Sequence, residues 1–510
     1  MKLARVASIT AVLLEEGLGF LTHAEAPDSD DLPVPESEAA QRLRQTLERL
    51  GPTFVKFGQL LATRVDLFGE AFIDELAKLH SEVEPFDSDE ARSIIEAELE
   101  RPIDEVFAEL SSTPVAAASI AQVYKGRLRH EDRWVAVKVQ RPGLEDSLLS
   151  DLDTLLVLSG FIDRLVPRYR RSMVHRVAEE YALRARTEID FLAEARAIDR
   201  FADVLTTLPE FRIPKLEPSL CTPRVLVMEW IDGPKLSDLH TPADLRARGV
   251  DPEAFCRSML RLQLSMAYEH GFVHGDTHPG NLILDETGHI ALIDFGLHGQ
   301  VPRPLREKML EMVFCQASGK IDEAVDAFAQ VFQPDPTADV AAFKQELKGV
   351  LAVGSQEGAL RDKRITEQLV RGMRVGAKYR LRTQSDLFMV IRNLTIVEGI
   401  VLRYCPTMDP AAEVKAITGG ILRRKLFGPN MQEELTQLLP QLMLTLSQRP
   451  RLAERLLKLE RAFTESRDLG EFLRREGVLE PATPAASPTG TLVVVGLFAL
   501  ALGIALGLLL

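Results

Sequence analysis

The chain has 510 residues, 46% hydrophobic and 27% charged, which excludes a wholly disordered or fibrous protein and suggests about three domains. Its 61 Lys and Arg stand against 75 Asp and Glu, a formal net charge of -14, which argues against a nucleic-acid binder, whose phosphate contacts would demand a dense basic face. Cys221, Cys256, Cys315 and Cys405 lie far apart with no C-x-x-C pair, and read as reduced core residues of a cytosolic compartment.

The N-terminal stretch MKLARVASITAVLLEEGLGFL carries Lys2 and Arg5 before an apolar run that Glu15 and Glu16 interrupt, so an amphipathic helix is expected and not an export signal. Residues 24–37 are acidic and Pro-rich and close an N-terminal segment 1–38 with a flexible linker. Helical patterns follow over 39–112, among them LGPTFVKFGQLLATR, where Lys56 and Gln59 stand three apart and share a helix face. From 115 to 140 the text changes: VYKGRL and WVAVKVQ carry β-branched and aromatic residues around the polar turn HEDR, the mark of a hairpin. Lys138 ends the second strand, with Val135 and Val137 on the opposite face. One strand earlier, PVAAASIAQV places Ala116, Ala117, Ala118 and Ser119 in a small-residue turn that runs on to Val123. Long helical patterns from 145 to 205 carry the acids Glu179, Glu180, Glu188, Asp190 and Glu194, and a strand, RVLVMEW, closes the segment 113–235.

Segment 236–425 is mostly helical but holds the densest chemistry. HGDTHPGN runs from His274 to Asn281, and Asp294-Phe295-Gly296 follows after the short strands LILD and IALID. Phosphoryl transfer from a nucleotide asks little covalent work of a protein; it needs acid groups positioned around a metal–phosphate complex. Asp276 suits the acid beside the attacking hydroxyl, while Asn281 and Asp294 bracket a small hairpin that would bring two Mg²⁺ ligands together. Lys138 stands where protein kinases keep the lysine that pairs the nucleotide phosphates, and VLVMEWIDGPKL resembles their hinge, with Glu229 to Ile231 offering backbone groups to adenine. The glycine-rich phosphate loop of kinases is replaced by Ala116–Ala118, and alanine disfavours the positive-φ conformations glycine allows, so a stiffer loop is expected.

Helices are expected again over 426–479, then a Pro-rich linker at 480–490. Residues 491–510, TLVVVGLFALALGIALGLLL, are twenty uncharged residues, enough at about 1.5 Å each to cross one hydrocarbon core. A transmembrane tail is therefore expected, anchoring a cytoplasmic soluble part to a bacterial inner membrane, with Arg474 and Arg475 on the cytoplasmic side. Gly503 and Gly507 form a small-xxx-small pair that would admit a close helix partner; a homodimer is among the expected partners.

Taken together these motifs resemble the UbiB (ADCK-type) family of atypical protein kinase-like proteins, associated with ubiquinone biosynthesis. Lys56-Phe57-Gly58-Gln59 matches its K-x-G-Q signature, Glu188-Ile189-Asp190 its E-x-D, and AAASIAQV its alanine-rich loop; the match covers roughly residues 45–420. The resemblance implies an α+β, bilobal protein kinase-like fold with an N-terminal helical extension, besides the C-terminal transmembrane helix. It also implies that Glu194 pairs with Lys138, that ATP or ADP binds with Mg²⁺, and that Lys56, Gln59, Glu188 and Asp190 are regulatory. Lys56 would sit near Glu188 and Asp190 and fill the space of a peptide substrate. The chain after Gly296 passes straight into helix without an A-P-E, and Gly275 stands where an arginine would sense a phosphorylated loop, so a protein docking platform is missing.

The leading reading is a membrane-anchored atypical kinase or ATPase supporting ubiquinone (prenylquinone) biosynthesis. Its expected partners are membrane lipids and prenylated quinone precursors or quinone-biosynthesis enzymes, and not nucleic acid. One alternative is a nucleotide-gated lipid-handling scaffold that phosphorylates nothing. Another is a small-molecule phosphotransferase of the aminoglycoside or choline kinase type, which shares H-G-D-x-H-x-x-N but not the K-x-G-Q helix.

Overall fold

The computed structural model describes residues 11–18, 35–64, 66–79, 85–118, 120–165, 173–317, 319–353 and 365–427. The chain divides into two compact units, Met1–Ile421 and Leu422–Leu510, and the described part of the second is the end of the helix Pro410–Phe427.

Strands β1 (Phe107–Leu110), β2 (Ala116–Ala117), β3 (Ala121–Leu128) and β4 (Trp134–Gln140) precede three long helices; β5 (Phe211–Arg212) and β6 (Val225–Glu229) follow them. An antiparallel sheet runs β1-β3-β4-β6, with β2 paired to β3. The hairpin expected over 115–140 is β3 and β4. Residues 107–110, read as helical, instead form the edge strand β1. Val135, Val137 and Val139 alternate along β4 into a core with Phe107, Tyr124, Val225, Val227 and Ile95 of the helix Ser88–Leu99. Period-2 geometry then sends Lys138 to the other face of the sheet.

A second core joins the helices Glu36–Leu50, Pro52–Ala62 and Glu70–Leu76 to Leu144–Ile162 and Met173–Glu188, the last two from the far side of the hairpin in sequence. Gly51, at φ 105°, separates the first two helices in a left-handed-side conformation that favours glycine, and Pro52 opens the second. Gly58 is fixed by packing: a Cβ there would lie 2.3 Å from Leu79 Cδ1 and 2.8 Å from Leu47 Cδ1.

The catalytic-type motifs lie on β7 (Phe272–His274), β8 (Leu282–Leu284), β9 (Ile290–Leu292) and β10 (His298–Gln300). β8 and β9 form the expected hairpin, and β5 joins β9 in parallel. β7 pairs with β10, His274 opposite His298, so the loop leaving β7 and the loop entering β10 lie side by side. The helix Ser385–Tyr404 packs against β7 and β10, and the helix Pro252–Leu264 packs against Ser385–Tyr404.

The structure corrects the transmembrane part of the expected fold class, and with it the membrane-anchored localisation. Among the described residues no helix is long and apolar enough to cross a membrane. The longest, Ser385–Tyr404, is 20 residues but carries Asp386, Arg392, Glu398 and Arg403, and charges are costly in hydrocarbon. The tail 491–510, the linker 480–490 and all but the first two residues of 426–479 lie outside the described residues. So do most of the N-terminal stretch and of the linker 24–37. What stands is a kinase-like mixed α/β fold with a helical extension.

Candidate nucleotide site

Two loops build the floor. Gly275 N–H donates to Leu297 C=O (2.7 Å), and a Cβ on Gly275 would lie 2.4 Å from Leu297 Cγ, so the loops approach too closely for a side chain there. His274 locks them together: its Nδ1 accepts Asp276 N–H (3.1 Å), which leaves Nε2 to donate to the Asp294 carbonyl. Burial lowers the His274 imidazole below its usual value, in keeping with that neutral tautomer. Asn281 Nδ2 donates to Asp276 C=O (3.1 Å) and Ile293 N–H to Asn281 C=O (3.1 Å), which holds Asn281 beside the strand that delivers Asp294.

Lys138 reaches this floor from the sheet above. Its ammonium lies 2.8 Å from both carboxylate oxygens of Glu194 on the helix Phe191–Leu205, and 3.6 Å from Asp294 Oδ1. Burial alone would lower Lys138, but Asp294 and Glu194 outweigh it and raise it, so the ammonium stays charged. Lys138 in turn holds Asp294 down to about 2, against the effect of burial and with help from Gly296 N–H, which donates to Oδ1 (3.1 Å). Phe295 N–H donates to Glu194 (3.3 Å), so the helix acid touches both the lysine and the Asp-Phe-Gly turn. Glu194 is buried, whereas the Asp294 side chain keeps 49% of its surface exposed, open to a ligand.

The extension closes one side. Lys56 Nζ bonds Glu188 Oε1 (2.9 Å), and a Cβ on Gly296 would lie 3.7 Å from Glu188 Cγ, which puts this pair against the Asp-Phe-Gly turn. Both ends reach the cluster electrostatically: Lys56 is among the charges that hold Asp294 down, and Glu188 among those that hold Lys138 up.

The other expected site residues spread out. Gln59 donates to Leu79 C=O (2.9 Å), just past the end of the helix Glu70–Leu76. Asp190 caps the Glu194 helix by accepting Leu192 N–H (3.0 Å) and pairs with Arg196, not with Lys56. Ala116 pairs with Val123 across β2 and β3, and Val123 faces Lys138 across β4. Ala117 and Ala118 are exposed at the turn, and Ser119 lies outside the described residues. Glu229 spends its carboxylate on Arg212 (2.6 Å) and its N–H on Lys215 C=O (2.7 Å); Ile231 packs with Ile283, Ala291 and Ile293.

Sequence reading missed Arg392 and Asn393. From the helix Ser385–Tyr404, Arg392 Nη2 donates to Asp276 Oδ1 (3.0 Å), and Asn393, fully buried, donates to His274 C=O and accepts from Thr277 (3.4 Å). Their only signal was two polar residues inside the apolar run LFMVIRNLTIV.

Among the described residues no group of three or more His, Cys, Asp and Glu side chains could hold a metal ion by itself. Asp294 and Asn281 supply one carboxylate and one amide oxygen, hard donors that suit Mg²⁺ when phosphate oxygens and water complete its shell. The residues fit a metal that arrives with a nucleotide.

The family model described as the ABC1 atypical kinase-like domain matches residues 78–326. An uncharacterized protein of Synechocystis sp. is 32% identical over 407 residues, 79% of this chain and 70% of that one. The Arabidopsis thaliana chloroplast protein named Activity of BC1 Complex Kinase 1 is 31% identical over 403 residues; this chain spans 58% of its length, with 78% of the chain aligned. A solved Mycobacterium tuberculosis structure in complex with erythromycin matches 83% of this chain and 98% of that one, at 21% identity and a TM-score of 0.48, too distant to carry an argument.

Proposed function

This chain belongs to the ABC1 atypical kinase-like family, the UbiB (ADCK-type) resemblance read from its motifs, and from that premise we propose that it binds a magnesium–nucleotide between Lys138 and Asp294 and acts as an atypical kinase or ATPase in prenylquinone biosynthesis. The observation that supports this most is the buried Lys138–Glu194 pair set 3.6 Å from an ionised, half-exposed Asp294. A fixed ammonium and a fixed carboxylate, both charged without a ligand, need no reorganisation when phosphates and metal arrive. Bound Mg²⁺ would neutralise charge on the phosphate oxygens; Asp294 and Asn281 would hold it, Lys138 would pair with the phosphates, and Asp276 would take the acceptor's proton.

Lys56 pairs with Glu188 against the Asp-Phe-Gly turn, where the family resemblance implies that the extension fills a peptide acceptor's space, and Gly275 leaves no arginine to read a phosphorylated loop. Both favour an acceptor smaller than a protein: a prenylated quinone precursor, or water. The ubiquinone or prenylquinone role follows from the family resemblance and is tested in cells from which the gene is deleted. Wild-type protein should restore their prenylquinone content and Asp294→Asn should not. Full restoration by Asp294→Asn would leave a scaffold without nucleotide chemistry as the better reading.

A further inference from the structure

We infer that Arg392 is a positioning residue for Asp276, supplying from a distant helix the cation that the catalytic-type loop itself lacks; this rests on the nucleotide reading above and deepens it. The loop from Gly275 to Asn281 contains no Lys or Arg, and its exposed histidine, His278, accepts the Gly280 N–H of its own loop (2.9 Å) through Nδ1. Gly275 admits no side chain, because Leu297 Cγ and the Leu297 carbonyl oxygen lie 2.4 and 2.9 Å from where its Cβ would stand. A cation for Asp276 therefore has to come from elsewhere in the fold.

Arg392 delivers it. Its guanidinium bonds Asp276 Oδ1 (3.0 Å), and among the described residues no donor is seen on the other carboxylate oxygen. One oxygen is thus tied and the other left to accept. The next residue, Asn393, bonds the His274 carbonyl and the Thr277 hydroxyl, so consecutive residues of one helix grip the segment on both sides of Asp276. His274, Thr277 and Asn393 are all buried, whereas the Arg392 side chain is 41% exposed and Asp276 28%. The buried amide is anchorage; the exposed guanidinium is where the aim of the carboxylate is set.

In the transfer step the γ-phosphorus gains a bond to the acceptor oxygen and loses its bond to the bridging oxygen. The acceptor's proton passes to the untied oxygen of Asp276, and the nucleoside diphosphate leaves with the bridging electron pair. Arg392 neither touches phosphate nor takes the proton. It fixes which oxygen of Asp276 is free and where it points, a contribution to orientation that should appear in turnover and not in nucleotide affinity.

The test compares wild type, Arg392→Gln, Arg392→Lys, Arg392→Ala and Asp294→Asn, each measured for Mg-ADP affinity by calorimetry and for phosphate release from Mg-ATP. Arg392→Gln should lose roughly ten-fold or more in turnover while its Mg-ADP affinity stays within about two-fold. Arg392→Lys should recover part of the rate, and millimolar methylguanidinium should partly rescue Arg392→Ala, a readout that a purely structural residue would not give. Unchanged turnover in Arg392→Gln, parallel loss of affinity and turnover, or a wild type that binds nucleotide and releases no phosphate would each overturn the proposal. Equal nucleotide affinity in wild type and Asp294→Asn would instead strike at the nucleotide site itself.

Discussion

Lys138 is nearly buried between Glu194 and Asp294, and taking away its ammonium would strand the Glu194 carboxylate in the core. Breaking one side of such a buried pair costs about 3–5 kcal/mol. Lys138→Met should therefore lower stability by that order in denaturant unfolding, and adding Glu194→Gln should recover part of the loss. A fall of only a few tenths of a kcal/mol would show that the pair is solvated. The same logic makes Asp294→Asn the cleaner probe of ligand binding, because Asp294 is half-exposed and its removal leaves Lys138 paired. His274 gives a pH signature. Its folded value lies below 6.5, so as pH drops the unfolded chain takes up a proton near 6.5 before the folded protein does. Stability should fall as the pH is lowered through about 6.5, and His274→Gln should flatten that part of the curve. An identical slope in both proteins would place the titration elsewhere.

At the scale of elements, the Lys56 helix and the helix Ser385–Tyr404 hold the site from two sides. The Lys56–Glu188 pair is partly exposed and worth about 1 kcal/mol or less, roughly a five-fold bias, so any latch it makes would be a light one. Lys56→Met, or Ala117→Gly in the opposite loop, should change nucleotide preference or release autophosphorylation; wild-type behaviour in both variants would remove the latch from the account. Gly58 serves the same helix by packing. Alanine there would gain up to about 1 kcal/mol of helix propensity but meet Leu79 and Leu47 in a closed core, where overpacking costs about 1–3 kcal/mol. Gly58→Ala should lower the unfolding midpoint, and a raised midpoint would show that the two leucines yield.

Which of these elements could be read from sequence follows from how local their signals are. The β3–β4 hairpin, the β8–β9 hairpin and the HGDTHPGN and Asp-Phe-Gly loops were legible, because alternation and motif spacing act within a dozen residues. Lys138 could be placed on a face from period-2 alone, whereas Glu194 stood out from Glu179, Glu180, Glu188 and Asp190 only through family resemblance. The grip of Arg392 on Asp276 was illegible: it spans 116 residues of chain, and nothing in a helix pattern says which loop its polar residues meet. Gln59 and Asp190 carry contacts that the motifs did not announce: Gln59 bonds the Leu79 carbonyl, and Asp190 caps the Glu194 helix.

For the whole molecule, the net charge of -14 argues against a basic nucleic-acid-binding surface, and the family match is to the ABC1 atypical kinase-like domain. The extension core recruits Leu144–Ile162 and Met173–Glu188 from beyond the hairpin, so the helix that ends in Glu188 is packed with the helix that carries Lys56. The Lys56–Glu188 pair thereby brings the extension up to the Asp-Phe-Gly turn. The most direct measurement is titration of the purified full chain with ADP, with and without Mg²⁺, in wild type and Asp294→Asn. The wild type should bind only when Mg²⁺ is present and Asp294→Asn should bind weakly or not at all. Metal-independent binding of equal strength in both proteins would contradict the assignment of the cleft.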